Sequence, residues 1–153
     1  MSLELNSISV NNFEKLHLLQ AFNSVYKYDV LCISETFLKS SYSNDDPSLS
    51  LKDYNMIRSD HLDNLKRGGV CIYFKETLPL KILNISLLNE CLVVDIAYED
   101  KKCMIVSLYR SPSQTSEQFG SFLTNLENLI DTIFCSDPFL VFILGDVNAK
   151  LSY

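Results

Sequence analysis

Two stretches of this chain, DVLCIS (29–34) and FLVFIL (139–144), are apolar through their centres with no polar alternation. A strand with one wet face alternates apolar and polar residues, so a strand without alternation needs cover on both faces. A single sheet with a solvated side is therefore excluded, and a layered structure is required. The 153 residues suffice for one domain with its own core. These runs are far shorter than a membrane span, and residues 1–20 carry no signal-peptide pattern, so the expectation is an intracellular protein without a membrane partner.

The remaining elements follow from periodicity. Residues 2–8 (SLELNSI) alternate as an opening strand does. A helix begins at Asn11 or Asn12, with Phe13, Leu16, Phe22, Val25 and Tyr26 at helical spacing and Glu14 completing a capping box with Asn11. The polar, turn-rich stretch 39–53 reads as a loop, YNMIR (54–58) as a short strand, 59–68 as a loop and GVCIYFK (69–75) as a strand. ECLVVDIAY (90–98) and KCMIVSLY (102–109) form a hairpin around Glu99, Asp100 and Lys101. Helical spacing returns from Phe119 to Ile133 after a cap at Thr115 or Ser116, and 139–144 is the last strand. Two helices can cover one face of one sheet. Nothing in these residues then covers its other face, which predicts half of a layered structure with an exposed apolar face on 29–34, 103–108 and 139–144.

Five scattered cysteines (Cys32, Cys71, Cys91, Cys103, Cys135) sit among apolar neighbours, which suits reduced buried thiols and neither a disulfide frame nor a zinc site. The net charge of −6 argues against a surface that simply adheres to nucleic acid, although a metal ion lets an acidic protein act on phosphates.

Three buried strands finish in polar groups: Glu35 after DVLCIS, Tyr109 and Arg110 after IVSL, and Asp146 with Asn148 after FLVFILG. If the strands are neighbours, two carboxylates, a phenol and an amide share one rim. Mg²⁺ takes oxygen ligands and few protein carboxylates, leaving room for phosphate and water. The alternative for each residue alone is a turn or strand-end role, which Asp and Asn favour.

ISETFL (33–38), RGGVCIYFKE (67–76), SLYRSPS (107–113) and LGDVNA (144–149) stand in the order and spacing of the endonuclease/exonuclease/phosphatase superfamily. The chain most resembles the endonuclease domain of LINE-type (non-LTR) retrotransposons, over essentially its whole length. The resemblance implies an α+β, four-layer α/β/β/α sandwich (deoxyribonuclease I-like). Residues 1–153 would be a single incomplete domain, the N-terminal half to two-thirds of that fold, truncated after the GDxN strand. It also implies a Mg²⁺ cofactor, with Mn²⁺ as a substitute, bound by Glu35. Tyr109 would contact the scissile phosphate, Asp146 and Asn148 would position the attacking water and stabilise the phosphate, and Arg110 would touch DNA backbone. DNA is the implied partner, the nucleus the implied location, and a C-terminal reverse transcriptase the implied companion in the parent element. The uncovered sheet face adds self-association.

The chain departs from the family's pattern at two places. Where the family's opening strand has Asn in a short Asn-x-Asn-Ser pattern, ELNS puts Glu4, a metal ligand that would add negative charge beside Glu35. Asn6 lies on the same face two residues along and is not taken to replace it. The family's later Ser-Asp-His motif has no counterpart after Asn148, so turnover by the chain as it stands is expected to be impaired or absent. The same letters at Ser59-Asp60-His61 lie in a polar loop and read as a chance match; His17 reads as structural, Gly68-Gly69 as a tight turn and Lys66-Arg67 as solvated charge. Two alternatives to a DNA-nicking phosphodiesterase stay open: a phosphoester phosphatase of the same superfamily, and a non-catalytic retroelement remnant.

Overall fold

A computed structural model describes residues 5–9, 14–39, 41–44, 46–61, 68–83 and 87–148. In chain order the elements are β1 (Leu5–Ser9), α1 (Glu14–Tyr26), β2 (Val30–Ser34), β3 (Tyr54–Ser59), β4 (Val70–Lys75), β5 (Leu80–Leu83), β6 (Cys91–Tyr98), β7 (Lys101–Tyr109), α2 (Ser116–Phe134) and β8 (Leu140–Asp146), with a 3-10 turn at Pro47–Leu49. They build two four-stranded sheets, ordered β1-β2-β4-β3 and β5-β6-β7-β8.

Each sheet holds one parallel pair, β1 with β2 and β7 with β8. Parallel neighbours need a crossover, and α1 and α2 are those crossovers. Every other pairing is antiparallel. The β6–β7 hairpin turns at Glu99 and Asp100, whose φ angles of 48° and 61° match the positive-φ turn that suits strand twist.

Side-chain alternation explains why the apolar runs need cover twice. From β2, Leu31 and Ile33 face outward onto Leu19 of α1, with Cys71 and Tyr73 of β4. Val30 and Cys32 point the other way and meet Ile72 of β4 together with Val94, Ile96 and Ile105 of the second sheet. The outer face of that sheet, Val93, Met104, Val106 and Leu108, is covered by Phe122, Leu129 and Ile133 of α2. The layers are therefore helix, sheet, sheet, helix.

The single uncovered sheet expected above is corrected here. Val30, Cys32 and Ile105 are at most 1% exposed, because strands 29–34 and 103–108 belong to two sheets that cover each other. Apolar exposure is found instead at β8, which has a strand neighbour on one side alone among the described residues. Leu140 is 42% and Ile143 47% exposed, with Phe139 beside them at 63%.

Helix α2 starts at the expected cap. The Thr115 hydroxyl accepts the Gln118 N–H while the Gln118 side chain accepts the Thr115 N–H. The capping box expected at Asn11, together with Lys66, Arg67 and Glu4, lies outside the described residues. Strand β5, four residues long and following Pro79, was not predicted from the sequence.

Candidate active site

The polar residue after β2 opens a strained bend. Glu35 and Phe37 have φ angles of 56° and 53°, a left-handed conformation that costs a non-glycine residue on the order of 1 kcal/mol. A neighbouring turn holds the bend in place. The Gly69 carbonyl accepts the Thr36 N–H at 3.3 Å and the Gly68 carbonyl accepts the Phe37 N–H at 2.9 Å. Gly68 and Gly69 make the tight turn predicted from the sequence, with φ of 73° and 83° that glycine adopts without penalty.

Across the sandwich, β7 delivers Tyr109, whose hydroxyl donates to Glu35 Oε1 at 3.1 Å and so ties the two sheets together. The ladder places Asp146 of β8 opposite Tyr109. Asp146 Oδ1 accepts the Asn148 N–H at 2.9 Å, closing a turn in which Asn148 has φ of 45°. Asn148 Nδ2 donates to the Arg110 carbonyl at 2.8 Å. Glu35, Tyr109, Asp146 and Asn148, read from the sequence as separate strand ends, thus gather at one rim fed by both sheets.

Arg110, expected to touch DNA backbone, makes a set of contacts inside the protein. It is 7% exposed, and its guanidinium is consumed inside the protein. Nε donates to the Val147 carbonyl and Nη2 to the Asn148 carbonyl, each at 2.5 Å, while Nη1 reaches the Ser111 carbonyl and Gln114 Oε1. The Phe119 ring lies 4.5 Å beneath the guanidinium carbon. Arg110 therefore holds the Asp146–Asn148 turn from behind.

Of the first strand, it is Ser9 that stands opposite Ser34, just before Glu35. That end of β1 is the one level with the rim.

One acid escaped the sequence reading. Glu90, just before β6, is buried, and its Oε1 accepts the Gly69 N–H at 2.5 Å. Its backbone carbonyl accepts the Tyr109 N–H at 3.0 Å. The only sequence signal was an acid heading an apolar strand, the mirror image of Glu35 ending one. Burial pushes the Tyr109 phenol up to about 12, helped by its bond to Glu35 and by the negative charges of Glu35, Glu90 and Asp146.

The donor set suits a hard cation held by few protein ligands. Glu35 and Asp146 offer carboxylate oxygens, and no cluster of three or more His, Cys, Asp or Glu able to hold a metal occurs among the described residues. A closed zinc-type cage is thus not formed there, while one or two carboxylates completed by water and phosphate is how Mg²⁺ is usually bound.

Beside the rim runs a groove of about 920 Å³ lined by Tyr109, His61, two acids (Glu90 and Glu117), the apolar Leu87, Leu88 and Phe122, and neutral polar residues such as Ser111, Gln118 and Asn125. Hydroxyl and amide groups of this kind commonly contact sugar-phosphate backbones. The Ser59-Asp60-His61 triplet is split in the structure, with Asp60 paired to Arg58 at 3.5 Å and His61 in the groove.

No family model and no curated protein matches the chain. Solved structures do. The endonuclease domain of TRAS1, a telomere-specific non-LTR retrotransposon, superposes with a TM-score of 0.71 at 17% identity, covering 98% of this chain and 61% of its own. The catalytic domain of Xenopus laevis APE2 gives 0.71 at 18% identity, with 95% and 58% covered. A 3′ phosphatase from Neisseria, NExo, bound to product DNA hairpin, gives 0.71 at 12% identity, with 99% and 60% covered. The chain thus spans about three-fifths of the length of these proteins, 61% of the TRAS1 domain. Its two packed sheets and outer helices have the deoxyribonuclease I-like fold of these solved structures, the TRAS1 endonuclease domain among them.

Proposed function

We propose that this chain is the N-terminal part of a Mg²⁺-dependent phosphodiesterase of retrotransposon origin that nicks one strand of DNA, leaving a 3′-hydroxyl from which a reverse transcriptase of the parent element can prime. The observation that carries this reading is the gathering of Glu35, Tyr109, Asp146 and Asn148 at a rim shared by both sheets. Glu35 would hold the cation, Mg²⁺ or Mn²⁺, which when bound polarises a phosphoryl oxygen and offsets the local negative charge.

The chain's own residues take the other roles. With its phenol pushed up to about 12, Tyr109 keeps its proton at neutral pH, and that single O–H, donated to Glu35 in this structure, would turn to a phosphate oxygen once Glu35 holds the cation. Asp146 uses part of its acceptor capacity on the Asn148 N–H, and its remaining lone pairs orient the attacking water. Asn148 commits one of its amide hydrogens to the Arg110 carbonyl and has the other for the phosphate. Donors fixed in advance where charge develops are the largest usual contribution to such catalysis. DNA would run along the groove beside Tyr109, in the nucleus if the target is chromosomal. The half-exposed β8 edge would mediate self-association.

The chain spans 61% of the TRAS1 domain's length, so weak or no turnover is proposed for the 153 residues alone. A plasmid-nicking assay with Mg²⁺ at low salt tests the reading, with Glu35→Ala and Asp146→Ala as controls. Nicking that disappears in both variants supports it; nicking that survives both removes the assigned site. The likeness to a 3′ phosphatase favours a second reading, phosphomonoester hydrolysis. Release of inorganic phosphate from 3′-phosphorylated DNA or inositol phosphates without nicking would select it. Neither activity, together with no Mn²⁺ binding, would select a non-catalytic remnant.

A further inference from the structure

We infer that Glu90 is a positioning residue that sets the Glu35 bend and the Tyr109 phenol through the Gly68–Gly69 turn. The inference rests on the reading of Glu35 as the carboxylate that holds the cation.

Glu90 comes from the β6 side of the second sheet, yet its carboxylate crosses to the first, accepting the Gly69 N–H at 2.5 Å. A carboxylate oxygen is a strong acceptor for a backbone N–H. The turn it grips passes the constraint onward. The carbonyls of Gly69 and Gly68 receive the N–H groups of Thr36 and Phe37, flanking the two left-handed residues Glu35 and Phe37. A backbone held in that region persists only where its surroundings over-determine it.

The fit around the carboxylate is close. A Cβ at Gly68 would lie 2.0 Å from Glu90 Oε1 and 3.2 Å from Tyr109 Cε1. The Tyr109 ring, the turn and the Glu90 carboxylate therefore occupy adjoining space, and the Glu90 carbonyl holds the Tyr109 N–H. Two links consequently cross the sheets at the rim: the Tyr109 hydroxyl on Glu35 and Glu90 on Gly69. A buried carboxylate carries a desolvation cost that its hydrogen bonds must offset. Glu90 also lines the groove proposed for DNA, and its hold on the rim runs through the turn.

Three variants separate reach from charge. Glu90→Gln keeps an acceptor oxygen at the same length, Glu90→Asp keeps the charge but withdraws it by one methylene, and Glu90→Ala removes both. Hydrogen exchange at the Thr36, Phe37 and Gly69 amides is read without metal, and Mn²⁺ affinity by titration. An Ile133→Val variant on the buried face of α2 serves as a control for general loss of stability. The expected result is exchange at those three amides about tenfold or more faster in Glu90→Ala and Glu90→Asp, and near wild type in Glu90→Gln and Ile133→Val. Mn²⁺ affinity should fall about tenfold in the same two variants.

Unchanged exchange at Thr36 and Phe37 in Glu90→Asp overturns the inference even if Glu90→Ala fails to fold. So does a change matched by Ile133→Val. If wild-type protein binds no Mn²⁺, the metal reading of Glu35 fails while the exchange data still decide the role of Glu90.

Discussion

Arg110 shows how a residue can be chemically conspicuous and still be structural. Its guanidinium is buried and has no carboxylate partner among the described residues, and its charge is met by the carbonyls of Val147 and Asn148 and by the Phe119 ring. Removing one partner of such a buried network costs about 3 kcal/mol or more. Arg110→Ala should therefore lower the urea midpoint markedly. Arg110→Lys should lower it nearly as much, because an ammonium cannot span two carbonyls as the planar fork does. A lysine variant with wild-type stability would show that charge alone suffices. Tyr109→Phe tests the opposite situation: it should cost only about 1 kcal/mol while lowering any nicking activity by about a hundredfold or more, the scale of one lost oxyanion donor. The rim residues were legible because an acid, a phenol or an amide ending an apolar run is anomalous in itself. Glu90 and the internal contacts of Arg110 were not legible, since each is defined by backbone groups distant in sequence, Gly69 for one and Val147 for the other.

Most elements declare themselves by periodicity, while their assembly does not. An apolar strand shows that both its faces are covered and is silent on by what. Strands 29–34 and 103–108 look alike whether they share a sheet or face each other, and here they face each other. β5 escaped because four half-exposed residues after a proline carry too little alternation to read. The helix cap and the strand end give contrasting predictions. Thr115→Ala removes one capping oxygen and should cost about 1 kcal/mol without disturbing the rim. Gly145→Ala should be far worse, for a Cβ there would sit 1.8 Å from the Leu108 carbonyl oxygen on a backbone with φ of 143°. Relief requires β8 to part from β7, and a loss of about 3 kcal/mol or more follows from such overpacking and strain. Thermal melts of the two variants, with hydrogen exchange at the Asn148 amide, distinguish a local cap from a strand end that holds the site.

At the scale of the whole molecule, the two buried layers make alkaline pH destabilising. Burial pushes the Cys32 and Cys91 thiols from 9.0 up to about 12. In the folded state these groups keep protons that the unfolded chain has already lost, so their contribution is whole below pH 9 and falls away as pH rises towards about 12. Melts across that range should show a steady decline that Cys91→Ser lessens. The open side of the sandwich makes the last prediction. β8 reads LVFILGD, with no Lys, Arg or Pro to blunt an edge that has a strand partner on one side alone among the described residues. Leu140 and Ile143, each more than 40% exposed, and Phe139 beside them, add apolar surface to the unpaired backbone. Natural sheets protect such edges with charge, proline, bulges or a covering segment, because another strand otherwise adds to them. The 153 residues alone should therefore associate with rising concentration, as light scattering across a dilution series would show. Ile143→Lys should suppress that association with little change in melting temperature, since the side chain is already half in water. A wild-type chain that stays monomeric at every concentration would mean that the edge is protected within the chain itself.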